Sequence, residues 1–156
     1  MSDDKKLAII ATKGTLDWAY PPFILASTAA ALGYETQIFF TFYGLQLLKK
    51  KPDLKVTSLG NPGMPMPVPM PVLAQALPGM QGMMTAMMKQ KMKSKGVASI
   101  EDLRNLCLEA EVTMVACQMT VDLFDMSRED FIDGVSYGGA ATFFEFAGES
   151  DICLFI

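Results

Sequence analysis

The chain has 156 residues, 51% of them hydrophobic, a formal net charge of −4 and no histidine. That length carries one domain with a sizeable core, and the lack of a basic excess argues against nucleic acid as the main partner. The missing imidazole excludes Ser-His-Asp and Cys-His catalysis and imidazole-bound zinc within this subunit, leaving thiol, carboxylate, amine, hydroxyl and backbone groups for any chemistry.

The chain opens MSDDKK and enters a short apolar run with no h-region or cleavage site, so no secretory signal is expected. Residues 6–12 (KLAIIAT) read as a buried strand ended by the turn Lys13-Gly14-Thr15. Residues 16–32 have the composition of a helix closed by Gly33, with Pro21-Pro22 expected to interrupt or restart it near Phe23. A second buried strand is predicted over 35–42 (ETQIFFTF), ended by Gly44, and a third over 54–59.

Residues 60–96 form an insertion of different composition. Its first part, 61–71 (NPGMPMPVPMP), has proline too often for helix or central strand. From Val72 onward, Leu73, Leu77, Met80, Met84, Met87 and Met88 recur every three or four residues, predicting one apolar stripe on one helix. Nine of the 13 methionines lie in the insertion, residues 56–88 carry no charge, and Lys89, Lys91, Lys93 and Lys95 follow. Packing against the domain or a second copy is the first reading of this stripe. Peripheral membrane contact through residues 72–95 and thioether binding of Cu(I) are the others.

Beyond the insertion, Ser99 is placed to cap a helix to about Ala110, with Glu101 and Asp102 in its first turn. Residues 112–116 (VTMVA) form a short strand whose end falls at Cys117, and a short helix is expected from Ser127. The chain then leads through Val135-Ser136, a helix opened by Gly138-Gly139, and a last strand over 151–156 (DICLFI). Strands alternating with helices predict an α/β fold with a mostly parallel sheet flanked by helices.

Three cysteines without regular spacing make no disulfide framework and suit a reducing, cytoplasmic compartment. Cys107, at helical spacing from Leu103, Leu106 and Ala110, reads as an inert core thiol, and Cys153 in the last strand has a similar plain reading. Cys117 differs, because reactive groups in parallel α/β sheets gather beyond the carboxyl ends of strands. A helix starting there offers unpaired N–H groups to a thiolate. The plain alternative is that Cys117 ends a buried strand. A rival site is the turn Thr12-Lys13-Gly14-Thr15, where backbone N–H groups can hold the phosphate of a nucleotide or flavin, although one glycine is fewer than such loops usually show.

Residues 13–45 (KGTLDWAYPPFILASTAAALGYETQIFFTFYGL), the proline-methionine insertion, and residues 115–124 (VACQMTVDLF) together resemble the DsrE/DsrF-like family of sulfur-relay proteins, in particular its longer DsrE/DsrF/DsrH-like members. The resemblance covers nearly the whole chain, and the FFTF-x-GL and ACQM stretches are its most specific parts. It implies one Rossmann-like domain over residues 1–156, with the insertion at 60–96, that assembles into homo-oligomers: a trimer, tetramer or hexamer. It also implies sulfane sulfur carried on the cysteine that the ACQM motif matches, Cys117. A second thiol near the C-terminus matches Cys153 by position, with a resolving or sulfur-holding role. A TusA-type sulfur carrier and a rhodanese-like donor are the partners implied, and no cofactor or metal is expected. The alternatives kept beside this are a nucleotide- or flavin-binding module and an interaction module recruited through the methionine-rich helix.

Overall fold

The computed structural model describes residues 4–57 and 71–156. Five strands, β1 (Lys6–Ala11), β2 (Glu35–Phe40), β3 (Thr113–Cys117), β4 (Val135–Gly138) and β5 (Ile152–Phe155), form one sheet in the order β4-β3-β2-β1-β5. Every pairing is parallel. The central strands are buried on both faces, which is why they read as continuous apolar runs rather than as alternating patterns.

One face is covered by α1 (Leu16–Ala31), α4 (Ile100–Glu109) and a 3₁₀ segment (Phe42–Leu48). Leu16, Ala19, Phe23 and Ala26 of α1 meet Ile9, Ile38 and Phe40 of the sheet, with the Phe23 and Phe40 rings 5.9 Å apart. Each such large side chain stabilises the fold by about 1.5–3 kcal/mol on burial. Among the described residues, the other face is covered only by α6 (Ala140–Ala147), whose Phe143 packs on Ala8, Phe39, Val115 and Cys117.

Helix α1 runs unbroken through Pro21 and Pro22, contrary to the expected interruption. Both prolines fall in its second turn, so only the carbonyls of Asp17 and Trp18 lose intrahelical partners. Its end is as expected: Gly33 has φ 88°, and Tyr34 N–H and Gly33 N–H donate to the carbonyls of Ala29 and Ala30. Ser99 caps α4 by accepting the Asp102 N–H at 3.1 Å.

The predicted third strand is a correction. Residues 54–57 take no strand conformation, because their backbone groups are used elsewhere. Lys55 C=O accepts from Leu16 N–H at 2.8 Å, Val56 N–H donates to Thr85 Oγ1 at 3.0 Å, and Val56 C=O accepts from Gln81 Nε2 at 3.1 Å. Residues 58 and 59 of that strand, and all but the last residue of the proline-rich run 61–71, lie outside the described residues.

The single methionine helix is a second correction. Helix α2 (Val72–Gln75) stops and α3 (Met80–Ser94) begins afresh. Pro78 disfavours helix at the residue before it, and Gly79, at φ 82°, turns the chain. Met84 is buried, and Met80 and Met88 pack on the core, as the packing reading expects. Leu73, Leu77, Met83 and Met87 are exposed. Among the described residues no helix is long and apolar enough to cross a membrane. Near the C-terminal end of the chain, the helix expected from Ser127 is one 3₁₀ turn, Arg128–Asp130, closed by a capping box between Ser127 and Asp130.

Candidate functional site around Cys117

Cys117 is at once the last residue of β3 and the residue that caps α5 (Gln118–Leu123). The strand ends because Gln118 turns directly into helix, so the sequence position beyond a strand's carboxyl end is where the thiol sits. It is 5% exposed, on the sheet face that α6 covers.

Two hydroxyls converge on it. Thr41 follows the end of β2, and Thr120 lies in the first turn of α5 with no exposed surface. Their Oγ1 atoms are 3.3 Å apart, and Thr120 Oγ1 accepts the Phe42 N–H at 3.2 Å. Burial works to raise the pKa of Cys117, but the Thr120 hydroxyl and N–H, the Thr41 hydroxyl and the Met119 N–H act against it and the net shift is downward. The neutral thiol forms no closed cap bond to α5, so these groups serve the anion more than the thiol. No cation is needed, which suits a chain without histidine.

Beside this site lies a group of rings. Tyr43 and Phe124 stack at a centroid distance of 5.9 Å and Phe42 meets both edge-on at 6.4 and 6.2 Å, and all three are exposed, as is Met119 in α5. Phe42 has a positive φ of 49°, a conformation uncommon for a bulky residue, held here by its bond to Thr120. Gly44 lets the 3₁₀ segment pass close to β1, since a Cβ there would run into the Ala11 carbonyl.

The other cysteines stand apart from Cys117. Cys107 is fully buried in α4, its Sγ 3.4 Å from the Phe23 carbonyl. Burial pushes its pKa up to about 11 against a smaller lowering by a backbone bond at Ser27, so the expectation of an inert core thiol matches. Cys153 is exposed rather than buried, because β5 is an edge strand and its apolar run lies at the rim of the sheet. It shares a row with Ala8, Gln37 and Thr113, and Cys117 is four residues beyond Thr113. The two thiols are therefore separated by about 14 Å across the strands and about 13 Å along them. A disulfide requires Cα atoms within about 7 Å, so within one chain the structure does not bring Cys117 and Cys153 together.

The rival turn at the end of β1 borders an open cavity of about 520 Å³ lined by Lys13, Gly14, Thr15, Trp18, Tyr43, Gln46 and Thr57. Lys13 Nζ sits 3.3 Å over the Trp18 ring. The first N–H of α1 is taken by Lys55 C=O, and Asp17 Oδ1 accepts the Thr57 N–H at 2.9 Å. A carboxylate in that first turn works against binding a phosphate there.

Thr41, Phe42 and Tyr43 fall in the FFTF-x-GL stretch, and Thr120 and Phe124 in residues 115–124, but the sequence assigned none of them a role at the thiol. Thr120 carried a weak signal, since a hydroxyl three residues after Cys117 falls in the first turn of any helix that the cysteine opens. Nothing in the sequence placed Thr41 at the thiol, because its approach to Thr120 depends on β2 pairing with β3.

Among proteins similar to this chain, one from Allochromatium vinosum named sulfur carrier protein DsrE2 is 82% identical over 99% of both chains. YrkE of Bacillus subtilis is 32% identical over 97% of both. The crystal structure of the ychN protein from E. coli shares the fold, with a TM-score of 0.56 at 12% identity over 97% of this chain and 99% of that one. A family model matches residues 3–155, and with strand-end thiol, parallel sheet and relatives in agreement, the chain belongs to the DsrE/DsrF/DrsH-like family.

Proposed function

We propose that the protein is a sulfur carrier that accepts sulfane sulfur on Cys117 as a persulfide and passes it on, acting as a sulfurtransferase. The observation that carries this reading is the pull of two threonine hydroxyls and two backbone N–H groups on a thiol whose burial alone would keep it protonated. The name of the Allochromatium vinosum relative supports it. The Cys117 thiolate attacks the outer sulfur of a donor persulfide, R–S–SH. A sulfur–sulfur bond forms at Cys117 as the donor's breaks, R–S⁻ leaves, and the proton stays with the transferred sulfur. Delivery to an acceptor thiolate is the same exchange in reverse, so no external oxidant or reductant is consumed.

A rhodanese-like protein as donor and a TusA-type carrier as exchange partner fit this chemistry, in the cytoplasm. Homo-oligomer formation is supported by the thin cover of the α6 face, where Phe144 and Phe155 are exposed. Sedimentation distinguishes trimer, tetramer and hexamer. Cys153, exposed and far from Cys117, is assigned a secondary sulfur-holding role. Membrane-surface contact through residues 72–95 is a second reading, favoured by exposed Leu73, Leu77, Met83 and Met87 beside exposed Lys89, Lys91, Lys93 and Lys95. Flotation with anionic vesicles tests that reading.

The central test is intact mass after treatment with inorganic polysulfide, followed by peptide mapping. Added sulfur on Cys117 that is lost in Cys117→Ser supports the carrier. Normal loading of Cys117→Ser overturns it.

A further inference from the structure

Cys117 pairs in register with Gly138, the last residue of β4. Paired residues in a parallel ladder project to the same face, so the place beside the Cys117 side chain, one strand spacing of about 4.8 Å away, is where a side chain of residue 138 would stand. Glycine leaves that place free, and Thr142 fills it from above. A Cβ on Gly138 would lie 2.6 Å from Thr142 Oγ1 and 2.8 Å from Thr142 Cβ. The Thr142 side chain thus enters from the first turn of α6, on the same face of the sheet as Cys117, where Phe143 already packs with Cys117. Gly139, which precedes α6, provides no side-chain cap to that first turn.

The groups that act on Cys117 Sγ come from Thr120, Thr41 and Met119, and Thr142 is not one of them. A persulfide, however, extends the side chain by a second sulfur about 2 Å beyond Sγ. Thr41 and Thr120 act on the thiol from the β2 and α5 sides, and Thr142 stands on its β4 side, beside Gly138. We infer that Thr142 is a positioning residue for the outer sulfur, its hydroxyl donating to the terminal perthiolate of Cys117 from the place that Gly138, lacking a Cβ, leaves to it. The inference rests on the carrier reading above and deepens it. Thr41 and Thr120 stabilise the empty thiolate, and Thr142 stabilises the loaded form. A hydrogen bond to a charged acceptor is roughly twice as strong as a neutral one, so the division lets the site hold sulfur longer than an isolated cysteine persulfide without a bound cation.

The test compares wild type with Thr142→Val and Thr142→Ser, all exposed-site changes in which folding is checked by thermal unfolding. Each protein is loaded with inorganic polysulfide, and two quantities are followed by alkylation and mass spectrometry: the pH profile of the empty Cys117 thiol, and the rate at which the Cys117 persulfide is lost to a small thiol. In Thr142→Val the empty thiol keeps its profile, the persulfide is lost at least about tenfold faster, the worth of one hydrogen bond to a charged group, and its own titration moves to higher pH. Thr142→Ser restores both. A persulfide in Thr142→Val that matches wild type overturns the inference, as does an equal change in the empty thiol, which marks a merely structural role. Failure of wild type to load at Cys117 is a different result and overturns the carrier reading itself.

Discussion

Replacing Thr120 by valine tests the link between packing and reactivity at Cys117. The two side chains have similar shape, and Thr120 is fully buried, so the change removes a hydroxyl without opening a cavity. Three interactions go with it: the Phe42 N–H donation at 3.2 Å, the contact with Thr41 Oγ1 at 3.3 Å, and the hydroxyl that does most to lower the pKa of the Cys117 thiol. Leaving the Phe42 N–H without its acceptor costs about 1–3 kcal/mol, and it falls at a residue already in a strained left-handed conformation. The variant is therefore destabilised by about 1–3 kcal/mol in urea unfolding. Its Cys117 alkylation profile moves to higher pH, because burial continues to favour the neutral thiol while the largest opposing influence is gone. In linkage terms, a thiol with a depressed folded pKa contributes stability that is present above its unfolded value, near 8.5, and lost as pH falls through the folded value. The pH dependence of unfolding in that window is thus weaker in Thr120→Val. If alkylation of Cys117 keeps the wild-type profile while stability falls, Thr120 holds the Phe42 turn and does nothing to the thiol, and the account of thiolate stabilisation is refuted.

Cys107 behaves in the opposite sense: with its pKa pushed up to about 11, it stays unalkylated in the folded protein at pH 8 and reacts once the chain is unfolded, as a two-state labelling experiment in guanidinium shows. Its linkage has the reverse sign, so it takes stability away as pH rises from its unfolded value, near 8.5, toward about 11. Among the methionines, Met84→Ala costs about 2–5 kcal/mol of stability, because it empties a core position, whereas Met87→Ala changes stability by less than about 0.5 kcal/mol, because its side chain already faces water. Equal effects at the two positions in thermal or urea unfolding would refute the packing assigned to α3.

Much of this protein was legible one-dimensionally because its signals are local. Gly33 at the end of α1 adopts positive φ, Ser99 followed by acids caps a helix, and continuous apolar runs such as 6–12 and 112–116 belong in a parallel sheet. The absence of histidine and the ACQM thiol likewise restrict the chemistry at the level of sequence. Other features depend on what a segment meets. Residues 54–57 have the composition of a strand, but their backbone hydrogen bonds are taken by Leu16, Gln81 and Thr85. Residues 152–155 form the expected strand, yet strand order puts it at the sheet edge and leaves Cys153 exposed. The same order separates Cys153 from Cys117. It also brings Thr41 from the end of β2 and Gly138 from β4 to the two sides of the thiol. Sequence determined which atom could react, because thiol chemistry is a property of one side chain. The N–H groups of Met119 and Thr120 and the Thr120 hydroxyl follow from the helix that Cys117 opens, whereas only the tertiary structure decided that Thr41 joins them, because it reaches the site through the pairing of β2 with β3.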